Sequence, residues 1–131
     1  GFVDDPEIYT SASDCGLFPT LWKEGLPNYI VESFSLGKIL VTSNIPQLHG
    51  LIKDGINSLV AKEHTVEEYC SQIKKIFIDE NQRKRMEKEA MENYIHVYSP
   101  EVVFEKYLRV ISKVTGKDIV SIKGDFKCVS A

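Results

Sequence analysis

The sequence has no apolar run near the ~20 residues that a membrane-crossing helix needs. It also has no basic-then-apolar leader ahead of a cleavage site, so secretion is not signalled. The 16 Lys and Arg are scattered among 19 Asp and Glu, for a net charge of −3, whereas a nucleic-acid surface needs clustered cations. Cysteine is scarce and odd in number: Cys15, Cys70 and Cys128 stand far apart. That suits thiols in a reducing cytosol better than disulfides, and the spacing fits no zinc site. His49, His64 and His96 are isolated, with no acid or nucleophile at a recognisable spacing. None reads as a catalyst, and His64 reads as the residue ahead of a helix cap. Internal repeats and low-complexity linkers are missing as well.

What is present is a chain of 131 residues, 43% apolar and 27% charged. That suffices for one soluble globular domain with a real core, and not for two. It is organised around Trp22-Lys23-Glu24-Gly25-Leu26-Pro27-Asn28-Tyr29-Ile30-Val31-Glu32. The apolar run 15–19 before this stretch reads as a buried strand. A helix over 27–36 follows it, opened by Pro27, whose missing N–H would have had no partner there. Gly37 ends the helix by taking the left-handed conformation without a Cβ clash. Strand, loop and helix start in that order put the loop at the carboxyl edge of an open α/β sheet, where ligands bind.

The free N–H groups and partial positive charge of a helix start attract an anion such as phosphate. Gly25 leaves the backbone uncovered, and Glu24 and Glu32, as pure acceptors, suit the hydroxyls of a sugar. Together they suit a nucleotide sugar. A structural reading is also open, in which Glu24 complements the helix dipole and Glu32 is a solvated helix residue. Lys23 and Lys38 read as solvated, and Trp22 as a core residue rather than a platform for a ligand. Asp4-Asp5 resembles the acidic pair of a receiver domain, but no Asp ends the strand 15–19, so Asp5 reads as a helix cap.

Along the rest of the chain, 1–3 reads as a strand end and 6–13 as a short helix opened by Pro6. Residues 38–43 form a continuous apolar run, as in a parallel strand covered on both faces. Asn44-Ile45-Pro46 turns the chain into a short helix through about 53, Asp54-Gly55 marks a turn, and 58–61 is the next strand. Thr65 with Glu68 forms a capping box. Val66, Tyr69, Cys70, Ile73, Ile76 and Phe77 then give one apolar helix face through about 79. Residues 81–97 are helical and highly charged, with Met86, Ala90, Tyr94 and Val97 as a narrow stripe. Ser99-Pro100-Glu101 caps a last helix with Val103, Phe104, Tyr107, Leu108 and Ile111 as its buried face, closed by Gly116. The tail 117–131 reads as an edge strand or as disorder. Strands alternating with helices imply a parallel sheet with right-handed crossovers.

Glu24-Gly25-Leu26-Pro27-Asn28 followed by Glu32 resembles the E-G-x-P-x-x-x-x-E pattern of retaining GT-B glycosyltransferases of family 4, the glycosyl transferases group 1. Gly1-Phe2-Val3-Asp4-Asp5, Leu17-Phe18-Pro19-Thr20-Leu21-Trp22, Gly37-Lys38, Ser43-Asn44-Ile45-Pro46 and Lys53-Asp54-Gly55-Ile56-Asn57 are similar to family signposts in the usual order. The likeness covers about residues 1 to 115. Three positions depart from it: Gly50 for a common glutamate, Ser58 for a glycine and Ile39 for a proline.

The resemblance implies an α/β fold, a parallel Rossmann-like sheet flanked by helices, forming part of a GT-B C-terminal domain. The expected division is 1–98 as the nucleotide-sugar-binding part, 99–116 as the crossover helix and 117–131 as a tail. It further implies a sugar moved from a nucleotide-diphosphate sugar to an acceptor with retention, without a metal or other cofactor. Glu24 would face the donor sugar as the catalytic-site residue. Gly25, Leu26, Pro27 and Asn28 would meet the sugar and diphosphate, and Glu32 would hold the ribose hydroxyls. The family's Arg and Lys pair and its N-terminal acceptor domain have no counterpart in these residues. The expectation is thus a donor-binding fragment, inactive alone, from a cytoplasmic enzyme at the inner face of the membrane that serves polysaccharide or glycolipid synthesis. A nucleotide-sugar epimerase of the same architecture and a non-catalytic nucleotide-binding module remain as alternatives.

Overall fold

The structure is a computed structural model that describes residues 2–22 and 25–121. Two compact units divide the chain, Gly1–Tyr94 and Ile95–Ala131.

The first unit is α/β. Its elements are α1 (Pro6–Ala12), β1 (Gly16–Phe18), α2 (Asn28–Ser35), β2 (Leu40–Ser43), a 3-10 turn Pro46–Leu48, β3 (Ser58–Ala61), α3 (Val66–Ile78) and α4 (Glu80–Asn93). The three strands form one parallel sheet in the order β1-β2-β3, with Gly16 opposite Leu40 and Leu40 opposite Ser58. All four residues of β2 are buried, as a central parallel strand covered on both faces should be. On one face Ile39, Val41, Leu59 and Ala61 pack with Tyr69 and Ile76 of α3 and Met86 of α4. The other carries Leu40 and Gly16 beside Tyr29 of α2, a helix whose Ile30 and Phe34 are fully buried. Each such side chain contributes about 1.5–3 kcal/mol by leaving water.

Several boundaries differ from those read in the sequence. Residues 2–3 are not strand; Phe2 is 95% exposed, and in the described sheet β1 pairs only with β2. Pro27 is the cap of α2 rather than its first residue, because its ψ of 123° is extended. Asp5 precedes α1 without a side-chain capping bond. Gly37 does terminate α2. At φ 65° it lets its own N–H reach Phe34 O (3.0 Å) and the Lys38 N–H reach Ser33 O (2.8 Å), the paired bonds of a Schellman motif.

The helix expected through about 53 shrinks to the single 3-10 turn, and Asn57 supplies the reason. Its carboxamide, fully buried, donates to Leu51 O (3.0 Å) and accepts from the Lys53 N–H (2.8 Å), taking backbone groups that a continuing helix would have used. Asp54 accepts from the Val60 N–H, and Gly55 turns the chain at φ 72°. The signpost Lys53-Asp54-Gly55-Ile56-Asn57 is therefore a structural latch ahead of β3.

In α3 the Thr65 hydroxyl accepts from the Glu68 N–H (3.2 Å). The reciprocal half of the box is not made, because the Glu68 carboxylate accepts from Gln72 Nε2 (2.9 Å) and from the Lys62 N–H. Those bonds, with Gln72 first, hold its pKa below the ordinary carboxylate value. The apolar face of α3 is also split. Tyr69 and Ile76 are buried with Gln72, whereas Val66, Cys70 and Phe77 are exposed. Along α4 the stripe holds in the middle, where Met86 and Ala90 are buried.

The second unit begins within a π-helical stretch, Tyr94–Tyr98, and continues as α5 (Pro100–Thr115). Ser99 stands at the start of α5, but its hydroxyl donates back to Ile95 O (2.9 Å) instead of capping. Gly116 closes the helix at φ 72°. Of the face expected to be buried, only Leu108 is fully so; Val103 and Ile111 are half-buried, and Phe104 and Tyr107 are exposed. Residues 119–121 are helical, opened by Asp118, which accepts from the Ser121 N–H, so the tail does not begin as a strand. The remainder of the expected tail, with Cys128, lies outside the described residues.

Replacing Asn57 by Ala should lower stability by about 2 kcal/mol, since two backbone groups lose their partner. The urea midpoint would report it, with exposed Gln47→Ala as the near-neutral control. Cys15 is half-buried, and burial, aided by the charge on Asp14, pushes its thiol above the ordinary value of 9.0. The neutral thiol is thus favoured, so iodoacetamide should label exposed Cys70 well before Cys15. Peptide mapping should show the gap narrowing as pH rises through the alkaline range.

Candidate functional site at the carboxyl end of β1

Two contacts of Tyr29 place the start of α2 against β1. Phe18, the last residue of the strand, meets Tyr29 in the first turn of the helix with ring centroids 6.2 Å apart and planes at 32°. Tyr29 also leans over Gly16, where a Cβ would come within 2.6 Å of its hydroxyl and would collide with Leu40. The glycine in this strand thus admits side chains, a tyrosine and a leucine, rather than another backbone. Pro27 is buried, and its carbonyl accepts from the Ile30 N–H (3.1 Å) as the first turn closes.

The candidate residues distribute around that turn. Gly25 and Leu26 are exposed in the loop, while Pro27 is turned into the core. Asn28 and Glu32 are both exposed and, four apart in α2, share one outward face. Glu24 and Lys23 lie outside the described residues. Among the described residues, the first turn of α2 carries no acidic side chain to offset the positive end of the helix dipole. Trp22, expected in the core, is 80% exposed. Its backbone N–H donates to Thr20 Oγ1 (3.2 Å).

Glu32 also lines a cleft of about 200 Å³ with Pro6, Glu7 and Thr10 of α1 and with Ser35 and Leu36. Sequence reading took α1 as a capped helix only and missed Glu7 and Thr10 as neighbours of Glu32. Their i, i+3 spacing on one helix face was the available signal. A second group escaped it. Ser43 at the end of β2 bonds to the Tyr69 hydroxyl (2.6 Å), which bonds in turn to His64 Nδ1 (2.9 Å). His64 therefore does more than precede a cap: its ring sits edge-on to Tyr69. No cluster among the described residues could hold a metal ion, and no described helix is long and apolar enough to cross a membrane.

A three-stranded parallel sheet flanked by helices, with a helix starting at its carboxyl edge, defines the class as a partial Rossmann-like α/β domain. The family model for glycosyl transferases group 1 matches residues 1–93. The chain belongs to that family, and its chemistry is glycosyl transfer between a sugar donor and an acceptor. No curated protein matches it significantly.

Gly16→Ala should cost about 1–3 kcal/mol through overpacking. It should also displace Tyr29, so that near-ultraviolet circular dichroism changes along with the lowered urea midpoint.

Proposed function

We propose that this chain forms the donor-binding half of a retaining, metal-independent GT-B glycosyltransferase of family 4. The observation that carries the reading is the opening of α2 at the carboxyl end of β1, with Asn28 and Glu32 on one outward face. Backbone N–H groups at that opening receive the donor diphosphate. Glu32 accepts from ribose hydroxyls, and Glu24 faces the hydroxyls of the sugar. In transfer, the bond from the anomeric carbon to the diphosphate oxygen breaks and a bond to the acceptor oxygen forms on the same face. The acceptor proton leaves with the diphosphate. The protein contributes position and stabilisation of the departing charge. The acceptor is bound by another domain, and these residues alone do not turn over.

The epimerase alternative shares the architecture, but Glu24-Gly25-Leu26-Pro27 with Glu32 favours transfer. Glu32→Ala should weaken nucleoside diphosphate binding to the longest expressed product of the gene about ten- to hundredfold, the worth of a charged hydrogen-bond partner. Calorimetric titration with a panel of nucleoside diphosphates and nucleotide sugars would measure it, and unchanged affinity would count against this site. Interconversion of free nucleotide sugar without an acceptor would identify an epimerase instead.

A further inference from the structure

We propose that the cavity between the loop leading into β3 and the helix α4 is a second binding site, for a soluble organic phosphate ester with a short aliphatic arm. The cavity holds about 590 Å³. Its loop precedes β3 and β1 runs parallel to that strand, so it lies at the opposite edge of the sheet from the start of α2. Gln82, Arg85, Met86 and Glu89 line it from one face of α4, at successive helical spacings.

The cations identify the ligand. Arg83 pairs with Asp14 and Glu87, Lys84 with Glu80 and Lys88 with Glu92. Arg85, the remaining basic residue of α4, faces the cavity with no acidic partner among the described residues. Lys53 approaches from the loop, its backbone held by Asn57 (2.8 Å), and its ammonium is likewise without an ion pair among the described residues. Against these two charges stands Glu89 alone, leaving the cavity positive. A guanidinium presents a planar fork to phosphate oxygens, and an ammonium adds a point charge.

The wall between them is apolar. Met86 is a core residue, while Ile56 leaves 48% of its surface exposed. Gly55 has nothing within 4 Å of where a Cβ would stand, so the loop backbone is open to an aliphatic arm. The cavity thus offers donors at one side and hydrocarbon at the other.

Titration of the isotope-labelled 131-residue chain with hexyl phosphate, followed by amide shifts, tests the site. Saturable shifts are expected at Gly55, Ile56 and along the Gln82–Glu89 face. Arg85→Gln and Lys53→Gln, both at exposed positions, should each weaken binding about tenfold or more, and Glu89→Gln should tighten it. Inorganic phosphate and hexanoate should each bind several-fold more weakly. Absent shifts at these amides, full affinity in both cation variants, or equal binding by either simpler probe would overturn the proposal. Arg85-dependent binding to phosphatidate-containing vesicles that hexyl phosphate fails to displace would overturn it in favour of a lipid headgroup.

Discussion

A parallel strand hidden on both faces governs the architecture. β2 has no exposed residue, so its ladder groups must pair with strands on either side and its side chains must be covered from above and below. β1 and β3 meet the first demand. The second is met by α3 and α4 on one face and by α2 near the other. A parallel sheet cannot be closed by hairpins, and each return must travel the length of the strand. The carboxyl ends of the strands therefore gather at one edge with the loops that follow them, and α2 opens there.

Two small devices hold the opening of α2 in place. Gly16 lets Tyr29 lie against the strand, and Phe18 stacks on the same ring. The Schellman motif at Gly37 stops the helix and aims the chain into β2. Between those ends α2 has only eight residues, too few to be a stable helix alone. Its persistence comes from burial of Ile30 and Phe34. The same burial settles which side of α2 faces solvent, namely the side with Asn28 and Glu32.

Polar groups inside the unit are used for register. Asn57 folds the loop before β3 onto its own backbone, and Ser43 and Tyr69 bind the end of β2 to α3. Buried polar side chains are tolerated when their partners are supplied, and both sets tie a strand end to a neighbouring segment. Thr42 differs: its hydroxyl is buried with no hydrogen-bond partner among the described residues.

Much of this was written locally. Apolar runs, Gly37, Gly116 and the Thr65 cap were enough to lay out β1 to β3, the longer helices and their order, because each acts through its own backbone or that of near neighbours. The strand end at 1–3, the helix through 53 and Pro27 as first helical residue were not borne out. The ordered family signposts likewise led to glycosyl transfer. What local chemistry did not settle was which side of each helix meets the core. Val66, Cys70 and Phe77 have the period of a buried face but lie outside it, and Trp22 is apolar yet exposed. Periodicity marks a stripe, and only the position of the sheet chooses the part of it to cover. The cleft beside Glu32 and the cavity between Lys53 and Arg85 join segments distant in the chain, so they exist only once the strands are side by side, whereas the Asn57 latch closes within six residues.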